Sequence, residues 1–171
     1  MSERGDGRVV LLGMMGAGKT RTGSALAARL GWTMHDSDAE LEARTGTTGA
    51  VIAAERGVAA LHELEARILL DGLETEGPMV VCAAASVVEE DRCRAALAGA
   101  TLVVWLDAPT EVLAHRVPSG RHRRTQTPRE ASASREARQR RFATVADLRL
   151  DATAPTDELV AIIADELARG R

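Results

Sequence analysis

Gly13-Met14-Met15-Gly16-Ala17-Gly18-Lys19-Thr20 decides how this chain folds. Gly, four residues, then Gly-Lys-Thr is the pattern of a loop that wraps a phosphate between a strand and a helix. The flanks agree. Arg8-Val9-Val10-Leu11-Leu12 is a short apolar run ending at Gly13, and Thr22 to Leu30 reads as a helix, so strand, glycine loop and helix follow in the required order. Lys19 is the only lysine among 171 residues; the other 21 basic residues are all arginine. An ammonium is a compact point charge that fits between phosphate oxygens, whereas a guanidinium is a planar fork. Glycines 13, 16 and 18 let the loop curl so that its N–H groups, those of Met15 and Ala17 included, face an anion, and the helix N-terminus adds partial positive charge. Lys19 is then expected to neutralise a nucleotide phosphate and the Thr20 hydroxyl to ligate Mg²⁺.

Composition bounds what surrounds that loop. With 171 residues and 45% hydrophobic content, one domain spanning 1–171 with a single packed core is expected. Residues Met1 to Arg8 are polar and charged, and no run reaches the length of a membrane span, so a cytoplasmic monomer with no membrane partner is expected. Cys82 and Cys93 lack metal-ligand spacing and read as buried thiols.

Strand and helix signals alternate. Trp32-Thr33-Met34-His35 is a weak second strand, and Ser37-Asp38-Ala39-Glu40 has the form of a capping box opening a helix to about Arg44. Gly49 to Glu55 and Val58 to Leu73 read as helices, Pro78 to Cys82 as a strand, Glu89 to Leu97 as a helix, and Thr101 to Leu106 as a buried strand. A helix from Pro109 to Arg116, a strand at Leu148-Arg149-Leu150 and a helix from Thr156 to Arg169 complete the series. Strands separated by helices imply an α/β three-layer fold, a parallel sheet covered on both faces.

Two polar groupings stand apart. From Arg116 to Arg141 there are nine arginines against two glutamates, a net of +7, which leaves −10 for the rest of the chain against its overall −3. The tract reads as a solvated helix face, a nucleic-acid patch, or a lid over phosphates. Three aromatics in the whole chain leave little for base stacking, so no nucleic-acid partner is expected. Pro118-Ser119-Gly120 and Thr127-Pro128 resemble hinges and favour the lid. The second grouping is Asp36-Ser37-Asp38, at the carboxyl end of a strand where ligands of parallel sheets sit. Asp36 is expected to hold Mg²⁺ through water and Asp38 to orient an attacking hydroxyl, alongside ordinary helix capping.

The motif, followed by Gly23, Leu26-Ala27-Ala28-Arg29-Leu30-Gly31, Asp36-Ser37-Asp38, Glu42 and Arg44-Thr45-Gly46, resembles the opening of shikimate kinases, and the likeness runs more thinly over nearly the whole chain. The resemblance implies MgATP-dependent phosphorylation of the 3-hydroxyl of shikimate, on a five-stranded parallel P-loop kinase fold with an arginine-rich lid at about 117–130. It also implies that Arg116 packs on adenine, that Arg123 in Gly120-Arg121-His122-Arg123 reaches the phosphates from the lid, that Arg138 holds the substrate carboxylate and that Asp38 holds its hydroxyl.

The departures fall on the acceptor side. Where the family has an arginine after Gly-Glu-x-x-Phe, this chain has His62, either a substrate contact or a half-buried helix residue; where the family has a glycine triplet, it has Ala84-Ala85-Ser86. Methyl groups at Ala85 and Ser86 are expected to fill substrate space and to disfavour glycine-type backbone angles. The lid's Arg-Pro-Leu-Leu is Arg123-Arg124-Thr125-Gln126, and the later Pro-Leu-Tyr is Arg140-Arg141-Phe142. The expected partner is therefore a small hydroxylated molecule. The alternatives are a paralogue acting on a sugar acid or cyclitol, or a nucleotide-binding protein with little turnover.

Overall fold

Arg8–Leu12 forms β1, and all five residues are buried, as a strand covered on both faces requires. The computed structural model describes residues 7–117 and 128–170, with side chains described throughout except at 128–132. After the glycine loop comes α1 (Lys19–Leu30), then β2 (Thr33–Asp36), α2 (Ser37–Thr45), α3 (Gly49–Arg56) and α4 (Val58–Glu74). β3 (Met79–Cys82), a 3₁₀ turn (Ala85–Glu89), α5 (Asp91–Leu97), β4 (Leu102–Asp107) and α6 (Thr110–Arg116) follow, and α7 (Pro128–Val145), β5 (Leu148–Asp151) and α8 (Thr156–Arg169) close the described chain. The five strands lie in the order β2-β3-β1-β4-β5, and every pairing is parallel. The expected α/β three-layer architecture is thereby observed. No helix among the described residues is long and apolar enough to cross a membrane.

Side chains alternate across a strand, and β1 shows how both layers are built. Val9 and Leu11 face a core shared with Leu26 of α1 and Ile163 of α8. Val10 and Leu12 face the opposite core, with Leu69 of α4, Leu97 of α5 and Phe142 of α7. A smaller cluster, Leu41, Ile52, Leu61 and Ile68, fastens α2 and α3 onto α4.

The structure departs from the sequence expectations in three places. The segment from Pro128 to Val145 is a helix, although it lacks an apolar stripe; Ala and Arg are strong helix formers and Pro128 suits the first position. Its anchor is Phe142, fully buried with its ring 5.7 Å from that of Trp105. The helix expected from Glu89 begins at Asp91, after a 3₁₀ turn over Ala85–Glu89. The cap of α2 is Asp36 rather than Ser37.

Candidate active site

The glycine loop is held in a shape that side chains would break. Gly13 has φ +151°, Gly16 +86° and Gly18 +86°, a region that L residues rarely occupy. A Cβ on Gly13 would lie 2.5 Å from the Leu106 carbonyl oxygen and one on Gly16 2.7 Å from that of Leu113, whereas one on Gly18 would meet nothing within 4 Å. Strand β4 and helix α6 thus press directly on the loop backbone. Lys19 Nζ donates to the carbonyls of Gly13 (2.8 Å) and Met14 (3.2 Å). Burial pushes this ammonium below the ordinary lysine range, against the pull of nearby negative groups that include Asp38 and Asp36.

Parallel strands deliver Asp36 and Cys82 to the same end of the sheet, as register partners on β2 and β3. Asp36 divides its carboxylate between two tasks. Oδ2 accepts from Thr20 Oγ1 at 2.7 Å, while Oδ1 caps α2 by accepting from the N–H groups of Asp38 and Ala39 at 3.1 and 3.2 Å. The Ser37 hydroxyl between them is buried without a hydrogen-bond partner among the described residues. Burial pushes the Cys82 thiol up to about 12, and its Sγ donates to the Lys19 carbonyl at 3.3 Å; a neutral thiol is a packing group, not a nucleophile. Cys93 is also a buried free thiol.

A cavity of about 450 Å³ lies over this end of the sheet, lined by Lys19, Thr20, Asp36, Asp38, the alanines 83–85 and Arg138. A second hollow, of about 700 Å³, lies on the other side of Gly16–Gly18 between Arg116 and the Ala152–Pro155 turn. Arg116 donates to the Ala152 carbonyl there at 2.9 Å.

The acceptor-side residues do not all converge. Ala84 and Ala85 line the first cavity; Ala84 has φ −64° and ψ 149°, ordinary for an L residue, and Ala85 and Ser86 open a 3₁₀ turn. Ser86 is not among the lining residues. It is buried and donates to the Glu65 carboxylate on α4, so the triplet facing the cavity is Ala83-Ala84-Ala85. His62 is also absent from the lining; its Nδ1 lies 3.6 Å from Glu89 Oε2. Arg138 lines the cavity, and its Nε donates to Glu89 Oε1 at 2.5 Å. Arg123 and most of the 117–130 segment lie outside the described residues. Sequence reasoning missed Glu65 and Glu89. Glu65 had a local signal, three residues after His62 on one helix face; Glu89 had none, because its partners are 27 and 49 residues distant in sequence.

A shikimate kinase family model matches residues 15–168. The chain belongs to the shikimate kinase family. The shikimate kinase of Aromatoleum aromaticum is 41% identical over 125 residues, 71% of each chain. That of Nitratidesulfovibrio vulgaris is 39% identical over 110 residues, 64% of this chain and 62% of its relative. Among solved structures, a shikimate kinase from Acinetobacter baumannii in complex with shikimate superimposes with a TM-score of 0.86 at 24% identity, covering 96% of this chain and 94% of that one. A gluconokinase from Sinorhizobium meliloti gives a TM-score of 0.59 at 21% identity over 96% and 93% of the two chains. Members of this family are P-loop phosphotransferases that act on a hydroxyl acceptor.

Proposed function

We propose that this family member transfers the γ-phosphoryl group of ATP to the 3-hydroxyl of shikimate. The observation that carries this reading is the convergence of Lys19, Thr20, Asp38 and Arg138 on one cavity of about 450 Å³, within reach of one nucleotide phosphate and one small acid. The relatives from Aromatoleum aromaticum and Nitratidesulfovibrio vulgaris, both shikimate kinases, favour shikimate over a sugar acid.

Each side chain then has a task. Backbone N–H groups of the glycine loop hold the phosphates, except that of Ala17, which donates to the Met14 carbonyl at 3.1 Å rather than facing the anion; Lys19 neutralises charge that builds on the transferring group, and Arg123 adds to that neutralisation. Arg116 packs on the adenine from the second hollow. Arg138 takes the carboxylate of the acceptor, and Asp38 accepts a hydrogen bond from its 3-hydroxyl so that the oxygen faces phosphorus in line with the leaving group. The new O–P bond forms as the bond to the bridging oxygen of ADP breaks, and the hydroxyl proton leaves towards Asp38. Phosphoryl transfer asks for positioning and charge more than for covalent chemistry by the protein. Alanines 83–85 narrow the space beside the acceptor, and His62, where the family has a guanidinium, sits beside Glu89 outside the cavity lining.

The Thr20 hydroxyl and Asp36 carboxylate fit a small hard cation. Thr20 Oγ1 donates to Asp36 Oδ2 at 2.7 Å, so two hard oxygen donors, the ligand type such a cation takes, lie side by side. Thr20 would hold Mg²⁺ directly and Asp36 would hold it through water, together with phosphate oxygens. When bound, the ion neutralises phosphate charge.

ADP release measured in parallel with shikimate, gluconate and cyclitols tests the assignment. Shikimate-dependent release well above the acceptor-free rate is the expected result. Release driven only by another acceptor, or by none, overturns it.

A further inference from the structure

Glu89 is not part of the motif set, yet it touches both residues that the family likeness places at the acceptor's acid group. It ends the 3₁₀ turn Ala85–Glu89 and divides its carboxylate between two helices. Oε1 accepts from Nε of Arg138 on α7 at 2.5 Å, and Oε2 lies 3.6 Å from Nδ1 of His62 on α4. The arrangement is mostly enclosed, with side chains 16% exposed at Arg138, 29% at Glu89 and 19% at His62, so solvent screens it only partly. One guanidinium and one carboxylate sum to zero charge, and an imidazole adds charge only when protonated. The arm of the cavity that should draw an anionic acceptor is therefore compensated from within the chain.

We propose that Glu89 sets the acceptor preference of this kinase by neutralising Arg138 and His62, which weakens the hold on a carboxylate-bearing acceptor relative to a neutral hydroxylated one of the same shape. The proposal rests on the reading that the acceptor's acid group is directed to Arg138. An acceptor carboxylate must share Arg138 with a carboxylate already bonded to it, and the two like charges repel at close range. Glu89→Gln removes that repulsion while keeping the shape and an oxygen that can accept from Arg138.

The test is calorimetric binding of shikimate and of its neutral carboxamide to the full-length wild type and Glu89→Gln, with steady-state kinetics alongside. Exchanging an internal charged hydrogen bond for a neutral one should tighten shikimate on the order of tenfold, leave the carboxamide within about twofold, and leave ATP binding unchanged. His62→Arg adds a positive charge beside an unaltered Glu89 and should tighten shikimate selectively as well. Shikimate binding that is unchanged or weaker in Glu89→Gln, equal gains for the carboxamide, or no shikimate binding to any variant would each overturn the proposal. If shikimate binds, and binds tighter to Glu89→Gln, but is never phosphorylated, the kinase assignment fails while the role of Glu89 stands.

Discussion

Lys19 is caught between what the loop needs and what burial costs. The ammonium is held by two carbonyls, and burial lowers its pKa. In the window between that lowered value and the ordinary lysine value near 10.4, the unfolded chain binds more protons than the folded one, so stability of the nucleotide-free protein rises with pH there. Lys19→Met should abolish that rise, seen as a flatter profile of denaturant midpoint against pH below the ordinary lysine value. The same variant, or Lys19→Ala, should lose on the order of 10²-fold or more in turnover, because a preorganised charge is removed from a partly desolvated site. An unchanged turnover number would remove Lys19 from the chemistry. The role of this residue was legible in sequence because a chain that uses arginine everywhere else keeps its one lysine at the end of a glycine pattern, where a phosphate calls for a compact charge. Ser86 was not: whether a side chain faces the cavity or Glu65 depends on the turn that carries it, and a 3₁₀ turn of five residues leaves no periodicity to read.

At the scale of elements, glycines sharing one motif answer to different constraints. Gly13 needs both its positive φ and the missing Cβ, since β4 approaches within 2.5 Å of where that atom would be; Gly18 needs only its φ, with open space around it. Gly18→Ala should therefore cost about 1–2 kcal/mol for a left-handed alanine, while Gly13→Ala adds displacement of backbone and should cost clearly more, with ATP affinity falling in parallel. Urea unfolding of the two variants decides it; equal losses would mean that the contact with Leu106 is not rigid. The elements easiest to read were those with long apolar runs, β1 and β4. α7 was hidden, because one phenylalanine, Phe142, supplies most of its buried anchorage and a single residue makes no stripe. Asp36 showed a related ambiguity: cap and metal ligand demand the same residue at the same strand end, and one carboxylate serves Thr20 and α2 at once.

Over the whole molecule, the glycine loop could be read locally, whereas the acceptor side is assembled from distant pieces: α2, the turn after β3, and α7, brought together by the order β2-β3-β1-β4-β5. No spacing along the chain announces Glu89 beside Arg138. The arginine tract divides on the same principle. Arg135 donates to the Ala108 carbonyl at 3.0 Å and Arg138 to Glu89, so at least these two are engaged by the fold. Among the others, Arg123 is the one that the family likeness directs to the phosphates, and a cation aimed at developing charge is worth far more than one facing water. Arg123→Ala should accordingly lower turnover by on the order of 10²-fold, while Arg129→Ala, to which the family likeness gives no role, should alter turnover less than about twofold. Turnover at saturating shikimate and ATP separates the two cases, and a high-salt arm sharpens them, because screening erodes an exposed charge more than one packed against a nucleotide. Equal small effects would take Arg123 out of the chemistry and leave charge stabilisation to Lys19 and the loop backbone.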